Sequence, residues 1–369
     1  MNGKRIFLIL MVVLTLSPAV AFGGARYSVG AVYVMNNNAD DNGVVAFKRD
    51  FRGRLTPGRT YLTGGSGMGE GLDPLASQNS LIISPNKRWL FAVNAGSNSI
   101  SVFRVRRHGL KLIGAFASGG IFPTSLTLYH NLLYVLNAGG DSPNIQGFRL
   151  HHRGRLELLT DATQPLPGSG FHQVGFSPHG DALVVTKGGG DADEILVFSV
   201  DEDGTIGDNP EATPSNGAVP FGFFFDWRGH LVVAEAGEQA VSTYELLDDN
   251  TLSVISPSVS NGNAATCWIA HTWFGAVFTA NTGANNISAY KLWPGNGAIR
   301  LKVAEAATGF RPIDMATTVS GRFLYVLNAG DGTVPGTVGA FRILPGGKLK
   351  SIGTFGELPR LHTQGIAVR

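Results

Sequence analysis

The feature that most constrains this chain is a phrase repeated seven times: a short apolar run rich in β-branched and aromatic residues, a polar residue at its end, then small residues with Gly. It runs Val32-Tyr33-Val34-Met35-Asn36, Leu90-Phe91-Ala92-Val93-Asn94 and Leu133-Tyr134-Val135-Leu136-Asn137, and continues as Leu183-Val184-Val185-Thr186-Lys187 and Leu231-Val232-Val233-Ala234-Glu235. Val277-Phe278-Thr279-Ala280-Asn281 and Leu324-Tyr325-Val326-Leu327-Asn328 complete the set. The terminal residues are separated by 58, 43, 50, 48, 46 and 47 positions, the size of a unit of four short strands. Ser-Pro turns lead into the phrase at Ser84-Pro85 and Ser177-Pro178, and a third strand follows it, as in Ile100-Ser101-Val102-Phe103 and Ile287-Ser288-Ala289-Tyr290. A Gly-bearing turn and a weaker fourth strand end each unit, and no helical period interrupts them. The expected fold is all-β: a seven-bladed β-propeller with four antiparallel strands per blade.

Strand order sets how such a ring closes. The first copy of the phrase, from Ala31, has no partner strand before it, while residues 364–369 form an orphan first strand. Pairing the two completes the seventh sheet and removes two exposed edges. The composition fits: 50 glycines supply turns, 43% hydrophobic residues fill a core, and 15% charged residues are too few for a coiled coil. Cys267, the single cysteine, leaves no disulfide framework or multi-cysteine metal site and reads as a small buried hydrophobe. A net charge of +2 gives no electrostatic reason to expect a nucleic-acid partner.

The chain opens with Lys4-Arg5, an apolar run from Ile6 to Leu16, and Ala19-Val20-Ala21. That is the pattern of a cleavable secretory signal over residues 1–21, too short to span a bilayer. The expectation is a secreted or periplasmic, monomeric protein without stable membrane insertion, whose single propeller domain occupies 22–369.

In antiparallel blades the starts of the inner strands and the ends of the second strands gather at one mouth of the central channel. Candidates for function are therefore read from that ring. Five of its second-strand ends are asparagines suited to capping tight turns, whereas blades four and five carry Lys187 and Glu235 instead. Their two readings are a rim ion pair between neighbouring blades and a ligand or catalytic role. The inner-strand starts add His172, Gln173, Asn79, Asp314 and His362, with Arg311 just before Pro312. A set of His, Glu and Asp around one funnel can supply general acid and base groups, and Lys and Arg can hold anionic oxygen. The run Gly64-Gly65-Ser66-Gly67-Met68-Gly69-Glu70-Gly71 has no helix after it and reads as a flexible loop between blades one and two. The Asp191-Ala192-Asp193-Glu194 turn has the carboxylate oxygens to hold Ca²⁺ but reads first as solvated acids, and no His or Cys metal-ligand spacing is present, so neither metal nor cofactor is expected.

The phrases Phe-x-Pro-x-Gly, Leu-Tyr-Val-x-Asn-Ala-Gly and Ile-Ser-Val-Phe, recurring over nearly the whole chain, resemble the seven-bladed β-propeller lactonases, which include 6-phosphogluconolactonase-like and carboxymuconate cyclase-like proteins. The resemblance implies chemistry on a lactone or related cyclic acid, through an Arg and a His at the start of blade four and a Glu after its second strand. At those places this chain has His172, Gln173 and Lys187-Gly188, and in blade seven Ile313 precedes Asp314 where the family has Arg. The function expected is therefore an exported lactonase-like propeller that binds a small polar or acidic ligand in its funnel. His172, Glu235 and Asp314 are its acid/base candidates, and Lys187, Arg311, Gln173, Asn79 and His362 are its binding residues. The alternative is a non-catalytic secreted propeller that serves as a binding or surface-interaction module.

Overall fold

A computed structural model describes residues 28–369; the signal segment read at residues 1–21 lies outside the described residues. Seven four-stranded antiparallel sheets stand around a central axis. Each apolar phrase forms the second strand of its blade, and five of the seven (Trp89–Asn94, Leu132–Asn137, Ala182–Lys187, Ala276–Asn281, Phe323–Asn328) are buried at every residue. A strand covered on both faces by neighbouring blades needs no polar alternation, which is why these runs read as continuously apolar.

The ring closes as the strand order requires. Ile366–Val368 pairs antiparallel with Gly30–Met35, matching Val32 to Val368, Tyr33 to Ala367 and Val34 to Ile366. Tyr325 of blade seven donates its hydroxyl to Gly53 O of blade one at 2.9 Å, tying the outer parts of the same junction. Cys267 is buried, as expected, and burial pushes its thiol pKa up.

The Gly64–Gly71 run differs from its sequence reading. Gly67 N donates to Asn38 O at 2.7 Å and Gly69 N to Asn37 O at 3.0 Å, so the run is laid down on the first blade rather than loose. A Cβ on Gly67 would stand 2.2 Å from the Asn37 carbonyl carbon, so the close approach needs glycine there. Beyond it the chain turns into the channel before the second blade begins.

Candidate functional site

The upper mouth is shaped by a backbone device that recurs in six blades. Phe122, Gly170, Val219, Ala265, Arg311 and His362 each stand just before the inner-strand segment of their blade with positive φ, between 51° and 83°. In blades three to seven a register shift follows, so that one residue bulges out of the pairing. The bulge re-aims the next side chains. At the position after it, Gln173 crosses to the next blade: its Nε2 donates to Phe223 O at 2.9 Å and its Oε1 accepts from Phe223 N at 2.8 Å.

Blade five has Gly222 at that position, and another part of the chain supplies the missing amide. Gln78, from the segment after the glycine run, donates its Nε2 to Ile269 O at 2.9 Å and accepts from Ile269 N at 3.0 Å. A Cβ on Gly222 would lie 2.2 Å from Gln78 Oε1. The rest of the segment is fixed as firmly. Ser77 O accepts from Trp268 Nε1 and Gln364 Nε2, Ser77 Oγ donates to Thr124 O, and Leu75 N donates to Gln364 Oε1, all at 2.8–2.9 Å. Residues 75–78 thus occupy the throat of the channel and touch blades on every side of it. The open funnel expected from the sequence is closed at this level by the protein's own backbone.

The closure accounts for His172 and Gln173. The His172 ring stacks on Phe221 at 4.2 Å, with Nδ1 2.7 Å from Ala76 O and Nε2 3.0 Å from Gly188 O. Burial pulls its pKa down, against the two carbonyls that favour the charged ring. Asn79 adopts φ 66° and its carbonyl accepts from Leu126 N of blade three.

Lys187 and Glu235 are engaged within their own blades and do not pair with each other. Four of the five second-strand asparagines donate across the sheet end, Asn94 to Ser99 and Ser101, Asn137 to Asn144, Asn281 to Asn286 and Ser288, and Asn328 to Thr337, while Asn36 accepts from Gly43 N. In blade four the same cross-strand partner is Glu194, and Lys187 Nζ meets it at 3.3 Å and Asp191 at 3.1 Å. Two of the three turn acids are thereby neutralised in place, and among the described residues no cluster of three metal-ligating side chains exists. In blade five the partner is Ala240, so the buried Glu235 turns to Gly217 N and Ser258 Oγ, both at 2.8 Å.

Asp314, Asp73 and His362 come together where blade seven meets blade one, and Arg311 stands at the start of blade seven beside Asp331. Asp314 is buried and accepts from Met315 N at 2.8 Å and from Ile366 N at 3.1 Å, and burial pushes its carboxyl up to about 8. Asp73 lies near enough to raise both the Asp314 carboxyl and the Cys267 thiol. Asp73 is exposed to solvent at the mouth and held by Ala76 N at 3.1 Å, and the protein crowded around it pushes its carboxyl up. His362 borders the same sector: its N donates to Gly71 O and its Nδ1 lies 2.7 Å from Asn36 O. The Arg311 guanidinium rests over Phe310, 5.7 Å from the ring centre, with no hydrogen bond to protein among the described residues. Asp73 carried no periodic signal in the sequence, because it lies in the one interblade connection that departs from the repeat; the length of that connection, the 58-residue spacing, was the available clue. The upper loops as a whole carry nine carboxylates against two arginines, Arg311 and Arg360. That field disfavours anionic ligands and admits neutral ones.

A family model described as a seven-bladed β-propeller lactonase matches the sequence twice in tandem, over residues 32–169 and 167–335. No curated protein matches it. Among solved structures, a candidate 6-phosphogluconolactonase of Bacteroides uniformis superposes with a TM-score of 0.72 at 16% identity, covering 92% of this chain and 99% of that one. The periplasmic gluconolactonase of Pseudomonas aeruginosa gives 0.70 at 17% identity, covering 91% and 98%. A protein of Lactobacillus plantarum gives 0.71 at 16%, covering 92% and 99%. At such identities these likenesses speak for the fold.

Proposed function

Because this chain belongs to the seven-bladed β-propeller lactonase family, we propose that it is an exported lactonase-like protein that binds a neutral, hydroxylated lactone at the blade seven and blade one side of its upper mouth and hydrolyses it there. One observation carries the reading: two carboxyls stand together at the mouth, the exposed Asp73 with no ion pair among the described residues and, beneath it, the buried Asp314, which its charge reaches. Two carboxyls whose environments bring one of them to a working pKa supply acid/base chemistry near pH 7. Export is supported by the basic start and apolar run of residues 1–21. It agrees with the periplasmic location named for the Pseudomonas aeruginosa protein.

In this scheme ionised Asp73 takes a proton from water, and the resulting hydroxide adds to the lactone carbonyl carbon. Arg311 holds the negative oxygen that forms, as fixed donors aimed at developing charge lower the barrier. The ring C–O bond then breaks and the leaving oxygen takes the proton from Asp73, giving a hydroxy acid that releases one proton at neutral pH. Asp314, kept neutral by burial, adds no second charge beneath Asp73. His362 offers its Nε2 to a ligand hydroxyl. His172, Lys187, Glu235, Gln173 and Asn79 keep the mouth in shape from the other side.

A second reading, a non-catalytic binding propeller, is favoured by the filled throat and by the internal partners of His172, Lys187 and Glu235. Proton release on a panel of aldonolactones separates the two. Turnover by wild type that falls about 10²- to 10⁴-fold in Asp73→Asn supports hydrolysis. Binding of the lactones without turnover supports the second reading, and neither binding nor turnover removes the site.

A further inference from the structure

The four most exposed large apolar side chains among the described residues all lie on one face, the one opposite the mouth. They are Val319 (73% exposed), Trp273 (69%), Trp227 (65%) and Phe51 (62%). Trp227, Trp273 and Val319 occupy the same place in the turn from inner to second strand of blades five, six and seven, where blades two and four have Pro85 and Pro178. Phe51 tips an outer turn of blade one, the next blade around the ring. Two of the four carry an arginine against the ring, with Arg228 4.4 Å from Trp227 and Arg52 5.2 Å from Phe51. Monomeric proteins rarely leave large apolar groups together on one surface without a partner.

Charge is sorted on this face as well. The lower turns of blades one to three expose Arg52, Arg54, Arg88, Arg107, Arg153 and Arg155. The one carboxylate in those turns, Asp50, is buried and engaged by Arg52 N and Arg54 N, and nearby Glu157 is paired with His151 at 2.5 Å. Acids occur on the outer turns of blades four and five, Asp201 to Asp203 and Asp248 to Asp249, and the first of these turns borders blade three, where Asp203 O accepts from Arg149 Nη2 at 2.7 Å. The small net charge of +2 therefore hides an acidic upper mouth and a lower face that is basic on one side and aromatic on the other.

We propose that the lower face docks on an anionic lipid surface, with Trp227, Trp273, Val319 and Phe51 entering the headgroup layer and the arginines of blades one to three facing the lipid phosphates. The placement favours a plane. Trp227, Trp273 and Val319 wall a groove of about 530 Å³ that a small molecule could fill. No small molecule in that groove would also meet Phe51 in blade one, whereas a flat partner meets all four tips at once. Indoles and arginines suit the headgroup layer because each has an apolar body and a polar end. Clustered arginines are drawn to anionic lipid. Docked in this way, the mouth opens away from the membrane.

Sedimentation of the full chain with vesicles tests the proposal. Phosphatidylcholine vesicles holding about a third phosphatidylglycerol are expected to pull the protein down at low salt, with pure phosphatidylcholine binding at least about tenfold less. Trp227→Ala with Trp273→Ala, and separately Arg107→Glu with Arg153→Glu, are each expected to weaken binding about tenfold or more. The apolar run at Ile6 to Leu16 is present in every variant and cancels from these differences. Brominated lipid is expected to quench indole emission in wild type and not in the double Trp variant. Equal sedimentation of all variants overturns the proposal, as does binding to heparin without binding to vesicles, which would mark a soluble polyanion as the partner. Lactone turnover is independent of either result.

Discussion

Asp314 shows how one buried group sets a pH dependence. Its carboxyl titrates near 8 in the folded protein and near about 4 when unfolded. The native state therefore binds the extra proton between those values, and stability falls as pH rises from about 4 to 8, then levels off. Asp314→Asn is expected to flatten that slope in denaturant titrations. It should cost about 1 kcal/mol at pH 5, since one of the two backbone donors, Met315 N or Ile366 N, loses its acceptor. A slope unchanged by the substitution would place the titration elsewhere. Asp314 was readable in the sequence as a mouth residue from its place in the repeat. Asp73 was not, because only the folded path of its loop brings it into the mouth. Lys187 and Glu235 drew notice as breaks in the asparagine pattern, but their partners depend on what lies across the strand, Glu194 in one blade and Ala240 in the next.

At the scale of elements, the segment in the throat behaves as a part of the ring. Gln78→Ala leaves Ile269 N and Ile269 O without partners and is expected to destabilise by about 2 to 4 kcal/mol, read from denaturant midpoints at constant m. A loss under about 0.5 kcal/mol would show that the throat segment is only loosely held. The Lys187 and Glu194 pair is expected to show a coupling of about 0.5 to 1 kcal/mol in a double-mutant cycle with alanine, the range of a partly exposed ion pair. The strands themselves were legible because seven copies of one apolar phrase leave little freedom. The throat segment was not, since a glycine-rich stretch without apolar period carries no sign of where it docks.

At the scale of the molecule, the ring depends on a three-residue strand at its end. Removing residues 364–369 deletes the partner of Gly30–Met35, the acceptor for Leu75 N and a donor to Asp314. The truncated chain is expected to lose cooperative thermal unfolding, which calorimetry would report. Closure was foreseeable from strand order alone, whereas the acidic excess of the upper loops and the arginine sector of the lower face were hidden by a near-zero net charge and needed the turns placed in space. The central claim is that ligand chemistry belongs to the blade seven and blade one sector above a closed throat. A crystal structure with an aldonolactone tests it directly: the molecule is expected between Asp73, Arg311 and His362 with Gln78 still bonded to Ile269. A ligand seated in the throat against His172, with residues 75–78 displaced, would contradict it.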